Sequence, residues 1–149
     1  AKTDFCIGIA GYPEKHFESP NFESDLEFTK AKVEAGADYI VTQMFFDNQK
    51  YFDYVKRCRE IGIDVPIVPG LKPITKLYQL NSLPRLFFLD LPSDLVKAIR
   101  AAKDGKARRE VGIEWCIAQS KELKAAGVPC LHYYTMGDSE TIRRIAEAV

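Results

Sequence analysis

The sequence has no excess of charge of either sign, because its 149 residues include 21 Lys and Arg and 21 Asp and Glu. A chain without net positive charge is a poor candidate for a general nucleic-acid binder or for a protein that binds anionic membrane surfaces. No apolar run approaches the roughly 20 residues that a transmembrane helix requires. No secretory signal peptide is visible and the first residue is Ala, so we expect a processed or truncated chain.

Phosphate-binding loops and metal-binding motifs are also missing. Neither GxGxxG nor GxxxxGK[ST] occurs, so scattered side chains and helix N-termini would have to hold any nucleotide. The four cysteines form no Cys-x-x-Cys pair, and no histidine follows them at zinc-ligand spacing. Since each lies in an apolar pattern, we expect buried free thiols in a reducing cytoplasm, at Cys6, Cys58, Cys116 and Cys130.

What the sequence contains is a regular alternation of strand-like and helix-like segments around the stretch from Ala35 to Asp47. There, Gly36 suits the positive φ of a helix end, and Asp47 is placed to cap the helix that follows. The predicted strands span residues 5–10, 38–44, 65–68 and 130–135, and Pro69-Gly70 is expected to end the third. The predicted main helices begin at a capping box from Ser24 to Glu27, at Gln49, at about Arg108, and at Asp138 or Ser139.

Residues 75–110 interrupt this alternation with two short predicted helices, 75–83 and 92–102, in a connection long enough to suggest a functional insertion. The chain shows no hairpin signal, so consecutive strands joined by helices are expected to run parallel. Two α/β architectures fit: a small doubly wound sheet, or four of the eight units of a (β/α)₈ barrel. A complete barrel requires about 250 residues.

Polar side chains follow the predicted strands where the strands end. In either architecture the carboxyl ends meet at one face, which would gather Tyr12, Glu14, His16, Gln43, Lys72, Tyr134 and Thr135. This set has no obvious acid–base pair. We interpret Glu14 as a solvated charge in a loop. Gln43 is more informative, because its amide both donates and accepts and therefore suits the edge of a pterin or flavin. Hydrogen bonding within the protein is the equally weighted alternative for Gln43.

Five motifs occur in an order that resembles the C-terminal half of the bacterial-type methylenetetrahydrofolate reductase family. They are GYPEKH (11–16), KVEAGA (32–37), TQMFFD (42–47), VPGLKP (68–73) and HYYT (132–135). The resemblance covers essentially the whole chain. It implies one partial domain, residues 1–149, that forms strands five to eight of a (β/α)₈ barrel holding FAD. In that family NAD(P)H reduces the flavin, which then reduces 5,10-methylenetetrahydrofolate to 5-methyltetrahydrofolate.

The resemblance also implies roles for individual residues. Tyr12, His16, Asp25 and Lys32 match positions that bind FAD. Gln43, Tyr51 and Gln79 match positions near the folate substrate or the nicotinamide. The residues alone favour a different role for Tyr51, which lies on an apolar helical stripe typical of core packing.

One departure from the family concerns the glutamate tail of folate. Many relatives carry an Arg for this tail where the chain has Asp138, and we expect Arg143 or Arg144 to substitute.

The family's catalytic glutamate and its flavin-tuning aspartate lie in the first half of the barrel, outside this sequence. We therefore expect the chain alone to be inactive, and either to self-associate through its exposed edges as a homo-oligomer or to require the N-terminal half. Two alternatives remain open: a non-catalytic α/β module, or a different barrel enzyme that uses the same face without flavin.

Overall fold

A computed structural model describes residues 4–149, which form four strands and six helices. The elements in chain order are β1 (Gly8–Gly11), α1 (Phe22–Glu34), β2 (Tyr39–Met44), α2 (Asn48–Glu60), β3 (Ile67–Leu71), α3 (Gln79–Phe87), α4 (Ser93–Ala101), α5 (Gly105–Ala125), β4 (His132–Tyr133) and α6 (Ser139–Ala148).

All strand pairs are parallel, and the strands lie in the order β1-β2-β3-β4. Each right-handed crossover therefore advances by one strand in the same direction, which places the helices on one face of the sheet. A doubly wound sheet would instead reverse its strand order at a switch point. The sequential order identifies the architecture as part of a (β/α)₈ barrel and confirms the predicted fold class.

The main core lies between the sheet and its helices. β2 alternates between buried and half-buried residues, and Ile40 packs towards the helices together with Tyr54 and Cys58 of α2. Other members of this core are Ile67, Leu71, Ile113, Cys116, Leu123 and Ile145. The opposite face of β2 bears the half-buried Tyr39, Val41 and Gln43. This second face, called the bare face below, corresponds to the interior of a complete barrel.

The long connection between β3 and α5 packs on a second apolar cluster. Met44 and Phe46, at the end of β2, contact residues of α3 and α4, and the buried members of the connection are Ile74, Leu80, Leu83, Leu89, Leu95 and Ile99. The insertion predicted from the sequence is therefore a folded part of the domain. It lies beside the carboxyl ends of the strands.

The first predicted strand and helix need correction. β1 begins at Gly8 rather than Phe5, and Phe5 is 77% exposed, because β1 is an edge strand without a neighbour on one side. α1 begins at Phe22 with Asn21 as its N-cap, whose side chain accepts a hydrogen bond from the Ser24 amide. Ser24 is therefore not the cap that the capping-box pattern predicted.

Pro69 and Gly70 lie inside β3 instead of ending it. The pairing of β2 with β3 is irregular between Val41 and Met44, so the strand tolerates a proline there. Within this irregular stretch the Gly70 amide donates to the Thr42 hydroxyl.

The remaining boundaries differ by a few residues. α3 begins at Gln79 instead of Thr75, β4 is limited to two residues, and α5 begins at Gly105 because Asp104 caps it. The positive φ angles of Gly36 and Gly62, 115° and 83°, confirm the predicted ends of the first two helices.

The cysteine prediction holds for only two of the four residues. Cys58 and Cys116 are buried, whereas Cys6 and Cys130 are exposed, and all four are free thiols. The exposed pair lies in the segments that lead into β1 and β4, outside the strands themselves. Within residues 4–149 no helix combines the length and apolarity needed to cross a membrane, and no cluster of potential metal ligands forms.

Candidate cofactor and substrate face

The four residues matched to FAD binding line one cleft. Tyr12 and His16 belong to the loop after β1, while Asp25 and Lys32 lie on one side of α1. The cleft has a volume of about 270 Å³ and is completed by Glu18, Ser19, Phe28 and Thr29. The seven-residue spacing from Asp25 to Lys32 corresponds to two helical turns, which explains why both side chains face the loop. The structure thus brings together all four residues.

Asp25 joins the loop to the helix. Its carboxylate, buried with 5% exposed, accepts hydrogen bonds from the Ser19 hydroxyl at 2.8 Å and from the His16 amide at 3.2 Å. Those bonds fix the path of the loop and therefore the position of the His16 ring. Sequence reasoning missed Ser19, because nothing local distinguishes this serine from other loop residues.

An aromatic pair forms one wall of the cleft. The rings of Tyr12 and His16 lie 4.5 Å apart between centroids at an interplanar angle of 74°. Burial raises the pKa of the Tyr12 hydroxyl, and the nearby Asp25 and Glu18 raise it further. The hydroxyl therefore stays protonated at neutral pH and can donate a hydrogen bond.

Lys32 supplies positive charge at the edge of the cleft. Its side chain is on the exposed surface of α1, and no carboxylate oxygen in the described part of the chain lies within 4.0 Å of its Nζ atom. By contrast, Lys30 of the same helix pairs with Glu34 at 3.8 Å. Lys32 is therefore free to attract an anion.

Gln43 and Gln79 both use their side-chain carbonyls within the protein. Gln43 Oε1 accepts from the Met44 amide at 2.9 Å, which leaves the Gln43 NH₂ group, on the bare face, as its ligand-accessible part. Gln79 Oε1 accepts from the amides of Thr75 and Lys76 at 2.8 and 2.9 Å. Gln79 therefore holds the turn before α3, and only its NH₂ group could reach a ligand.

Tyr51 lies away from this face. Its ring stacks on Phe45 at 5.5 Å in the core, it is only 4% exposed, and its hydroxyl donates to the Ile67 carbonyl at 2.7 Å. The structure gives Tyr51 the core role that its helical stripe predicted, and does not bring it to the side chains matched to substrate binding.

The structure corrects the interpretation of Glu14 as a solvated loop charge. Glu14 is half-buried rather than solvated, and its carboxylate accepts from the Asp90 amide at 2.8 Å. Burial raises the pKa of Glu14, although that hydrogen bond and nearby Lys50 oppose the shift. The contact joins the loop after β1 to the connection between α3 and α4, so Glu14 positions the candidate cleft relative to the insertion.

The arginines expected to replace the missing family Arg already have partners. Arg144 makes two bonds to Glu110, at 2.9 and 2.7 Å, and Arg143 bonds to Glu140 and Glu147 on its own helix. Arg109, which sequence reasoning did not single out, pairs with Asp138 at 2.8 Å.

Comparison with known proteins identifies the family. The family model described as methylenetetrahydrofolate reductase matches residues 1–149. The chain belongs to the methylenetetrahydrofolate reductase family.

Family members from distant organisms have nearly the same sequence identity to the chain. It is 37% identical over 147 residues to the probable methylenetetrahydrofolate reductase (NADPH) of Caenorhabditis elegans, which covers 97% of the chain and 22% of that relative. It is 35% identical over 139 residues to the 5,10-methylenetetrahydrofolate reductase of Salmonella typhimurium, which covers 93% of the chain and 47% of that relative. The chain thus spans between about a fifth and a half of these reductases.

A solved structure supports the fold. A chain described as an uncharacterized protein from Clostridium thermocellum that binds two copies of 5-methyl-5,6,7,8-tetrahydrofolic acid superimposes with a TM-score of 0.65 at 19% identity. The match covers 97% of this chain and 52% of the other. This chain therefore corresponds to about half of that structure.

Proposed function

We propose that this chain forms the C-terminal half of the barrel of a flavin-dependent reductase that converts 5,10-methylenetetrahydrofolate to 5-methyltetrahydrofolate with NAD(P)H. Family membership supports the reaction. The observation that carries the cofactor assignment is the single cleft formed by Tyr12, His16, Asp25 and Lys32.

The residues of this cleft are chemically suited to part of FAD. Lys32 lacks a carboxylate partner within residues 4–149 and can attract a phosphate group, while Tyr12 offers an aromatic face and a protonated hydroxyl. At about 270 Å³ the cleft lies just below the range of complete small-molecule sites, so it suits part of the dinucleotide. When bound, FAD supplies the transfer of reducing equivalents from NAD(P)H to the folate. Asp25 acts indirectly, by holding His16 in place.

The bare face of the sheet is the reason why we expect the reaction to need residues from the other half of the barrel. Gln43 projects there and can donate to a ring heteroatom, but it cannot supply a proton to the substrate, since an amide does not titrate near neutral pH. The edges of β1 and β4 are open within the described sheet. We therefore assign proton donation to the other half of the barrel and propose that an isolated chain is inactive.

An FAD titration of the intact protein tests the cofactor site. We expect Lys32→Ala to raise the FAD dissociation constant by about tenfold, because a charge-assisted phosphate contact is lost. Lys30→Ala is the matched control: it removes an equal charge from the same helix, but one already paired with Glu34. Equal effects of the two variants would contradict the assignment, and an intact protein that binds no flavin would favour the non-catalytic module.

Sedimentation of residues 1–149 alone tests the half-barrel proposal. Open strand edges and a partly apolar bare face favour association, so we expect dimers or larger species and no reductase activity. Adding the complementary half should restore FAD binding. A monomer that remains stable at high concentration would show that this half does not need a partner to cover its edges.

A further inference from the structure

Lys72 lies at the carboxyl end of β3 beside the end of β4. Leu71, the last residue of β3, packs in the core against the helices, so the next side chain points to the opposite, bare face. The Tyr134 ring lies on that same face, beside Gly70. Lys72 Nζ donates to the Tyr134 carbonyl at 3.4 Å. Lys72 is thus part of the wall that faces the barrel interior.

Lys72 is a largely buried lysine with no counter-ion among residues 4–149. The residue exposes only 9% of its surface, and residues 4–149 place no carboxylate oxygen within 4.0 Å of its Nζ atom. The 3.4 Å contact is longer than an ordinary N–H···O bond. Burial lowers the pKa of Lys72, with the charge of Asp138 opposing the shift. A desolvated cation is costly unless an anion meets it.

Asp138, the carboxylate whose charge reaches Lys72, is committed elsewhere. It pairs with Arg109 at 2.8 Å, and it also accepts from the amide and hydroxyl of Thr141, at 3.2 and 2.8 Å. These contacts hold Asp138 at the N-terminus of α6 as its cap. Its bonding capacity is largely used, so it does not neutralise Lys72 directly.

The arginines at this end of the barrel are less suited to a ligand. Arg109, Arg143 and Arg144 each form ion pairs with carboxylates of the chain at 2.9 Å or less. An incoming anion would have to break one of those pairs. Lys72 requires no such exchange.

We propose that Lys72 binds a carboxylate of the substrate and so determines the preference for a substrate that carries one. The inference rests on the folate reductase function proposed above, since the glutamate moiety of folate provides carboxylates beyond its pterin and aminobenzoyl rings. It assigns to Lys72 the contact that the family resemblance led us to expect from Arg143 or Arg144. Gln43 lies on the adjacent strand of the same face, where it would contact the uncharged part of the substrate.

Two substrates separate this role from a structural one in the intact protein. The primary amide of 5,10-methylenetetrahydropteroic acid has the rings of 5,10-methylenetetrahydrofolate but a neutral carboxamide in place of the glutamate, so it carries no carboxylate. For the wild-type protein we expect its KM to be about tenfold higher than that of the folate, the effect of losing one charge-assisted hydrogen bond. Similar KM values for the two substrates would overturn the proposal without requiring any variant.

Lys72→Met is expected to remove the difference. It should raise the KM for the folate by about tenfold and leave the KM for the amide within about twofold, because only the folate has a carboxylate for Lys72 to bind. Lys72→Arg should keep part of the discrimination. Lys76→Met is the matched control, since Lys76 is an exposed lysine of the following turn.

The outcomes distinguish this inference from the proposed function. If the wild-type protein reduces neither substrate, the proposed function fails. If it reduces both but Lys72→Met raises both KM values equally, Lys72 pairs with another part of the protein or with the flavin, and the carboxylate role is overturned. Thermal unfolding and flavin absorbance of each variant show whether it retains the wild-type fold and cofactor.

Discussion

The Tyr134 hydroxyl donates a 2.9 Å hydrogen bond to the backbone carbonyl of Thr42, although β3 lies between β2, which bears Thr42, and β4, which ends just before Tyr134. The ring reaches across because Gly70 has no side chain. A Cβ atom at Gly70 would lie 2.2 Å from the Thr42 carbonyl oxygen and 2.8 Å from Cε2 of Tyr134. This contact links β2, β3 and β4 at the end of the sheet where the candidate site lies.

Gly70→Ala should therefore destabilise the protein. The clash involves backbone, which cannot rotate away, so we expect a loss of about 1–3 kcal/mol in the free energy of unfolding, measured by urea denaturation. Gly105→Ala is the control, because a Cβ atom there meets nothing within 4 Å and Ala suits a helix better than Gly. Unchanged stability of Gly70→Ala would show that β2 and β3 can separate at little cost.

Apolar periodicity predicted the strand–helix order because it follows from burying one face of each element. It placed Tyr51 in the core correctly, since the stripe on α2 faces the sheet. Local rules failed where tertiary contacts override them. Pro69 continues β3 because an irregular register accepts it, and Phe5 stays exposed because β1 is an edge.

The candidate site was predictable only in part. The resemblance to the family located Tyr12, His16, Asp25 and Lys32, and the structure shows that these residues line one cleft. The unpaired state of Lys72 could not be predicted, because it depends on which distant arginines and carboxylates pair with one another. Such pairings join residues separated by up to 34 positions in sequence, as for Arg144 and Glu110.

A second prediction separates the roles of Tyr51 and Gln43. Burial raises the pKa of Tyr51 to about 12, so its hydroxyl is neutral and acts as the donor to Ile67. Tyr51→Phe should lower the free energy of unfolding by about 0.5–1.5 kcal/mol and leave the folate KM unchanged. Gln43→Ala should instead raise the folate KM and leave the free energy of unfolding nearly unchanged. A raised KM in the folded Tyr51→Phe protein would restore Tyr51 to the substrate site.

The third prediction concerns thiol reactivity. Burial raises the pKa of Cys58 to about 11 and that of Cys116 to about 12, so both are almost fully protonated at pH 8 as well as inaccessible. Cys130 is exposed on the chain leading into β4. We expect iodoacetamide at pH 8 to modify Cys130 in residues 1–149 under native conditions, as read by peptide mass spectrometry. The two buried thiols should react only in denaturant, and their equal labelling in buffer would contradict the packing of α2 and α5.

The fourth prediction is a pH dependence at the start of α6. Desolvation alone would raise the pKa of Asp138, but hydrogen bonds from Thr141 and the positive charge of Arg109 outweigh it, so the pKa lies below its ordinary value of 3.8. The folded state then binds the proton more weakly than the unfolded state does. The stability contributed by the carboxylate is present above about pH 4 and is lost as the pH falls below that value.

Asp138→Asn tests this sign, because asparagine caps a helix about as well as aspartate but carries no charge for Arg109. The side chains of Arg109 and Asp138 are each 37% exposed, so solvent screening limits the pair. We expect the variant to be less stable than the wild-type protein by no more than about 1 kcal/mol at pH 7, measured by urea denaturation. The difference should shrink progressively as the pH falls below about 4, since the wild-type carboxylate is then protonated first in the unfolded chain and, at lower pH, in the folded one. Asp94→Asn, at an exposed ion pair with Lys97 in α4, should show a smaller difference at pH 7. If the Asp138→Asn difference instead grew as the pH fell, protonation would be strengthening the cap, and the pKa of Asp138 would have to lie above its ordinary value.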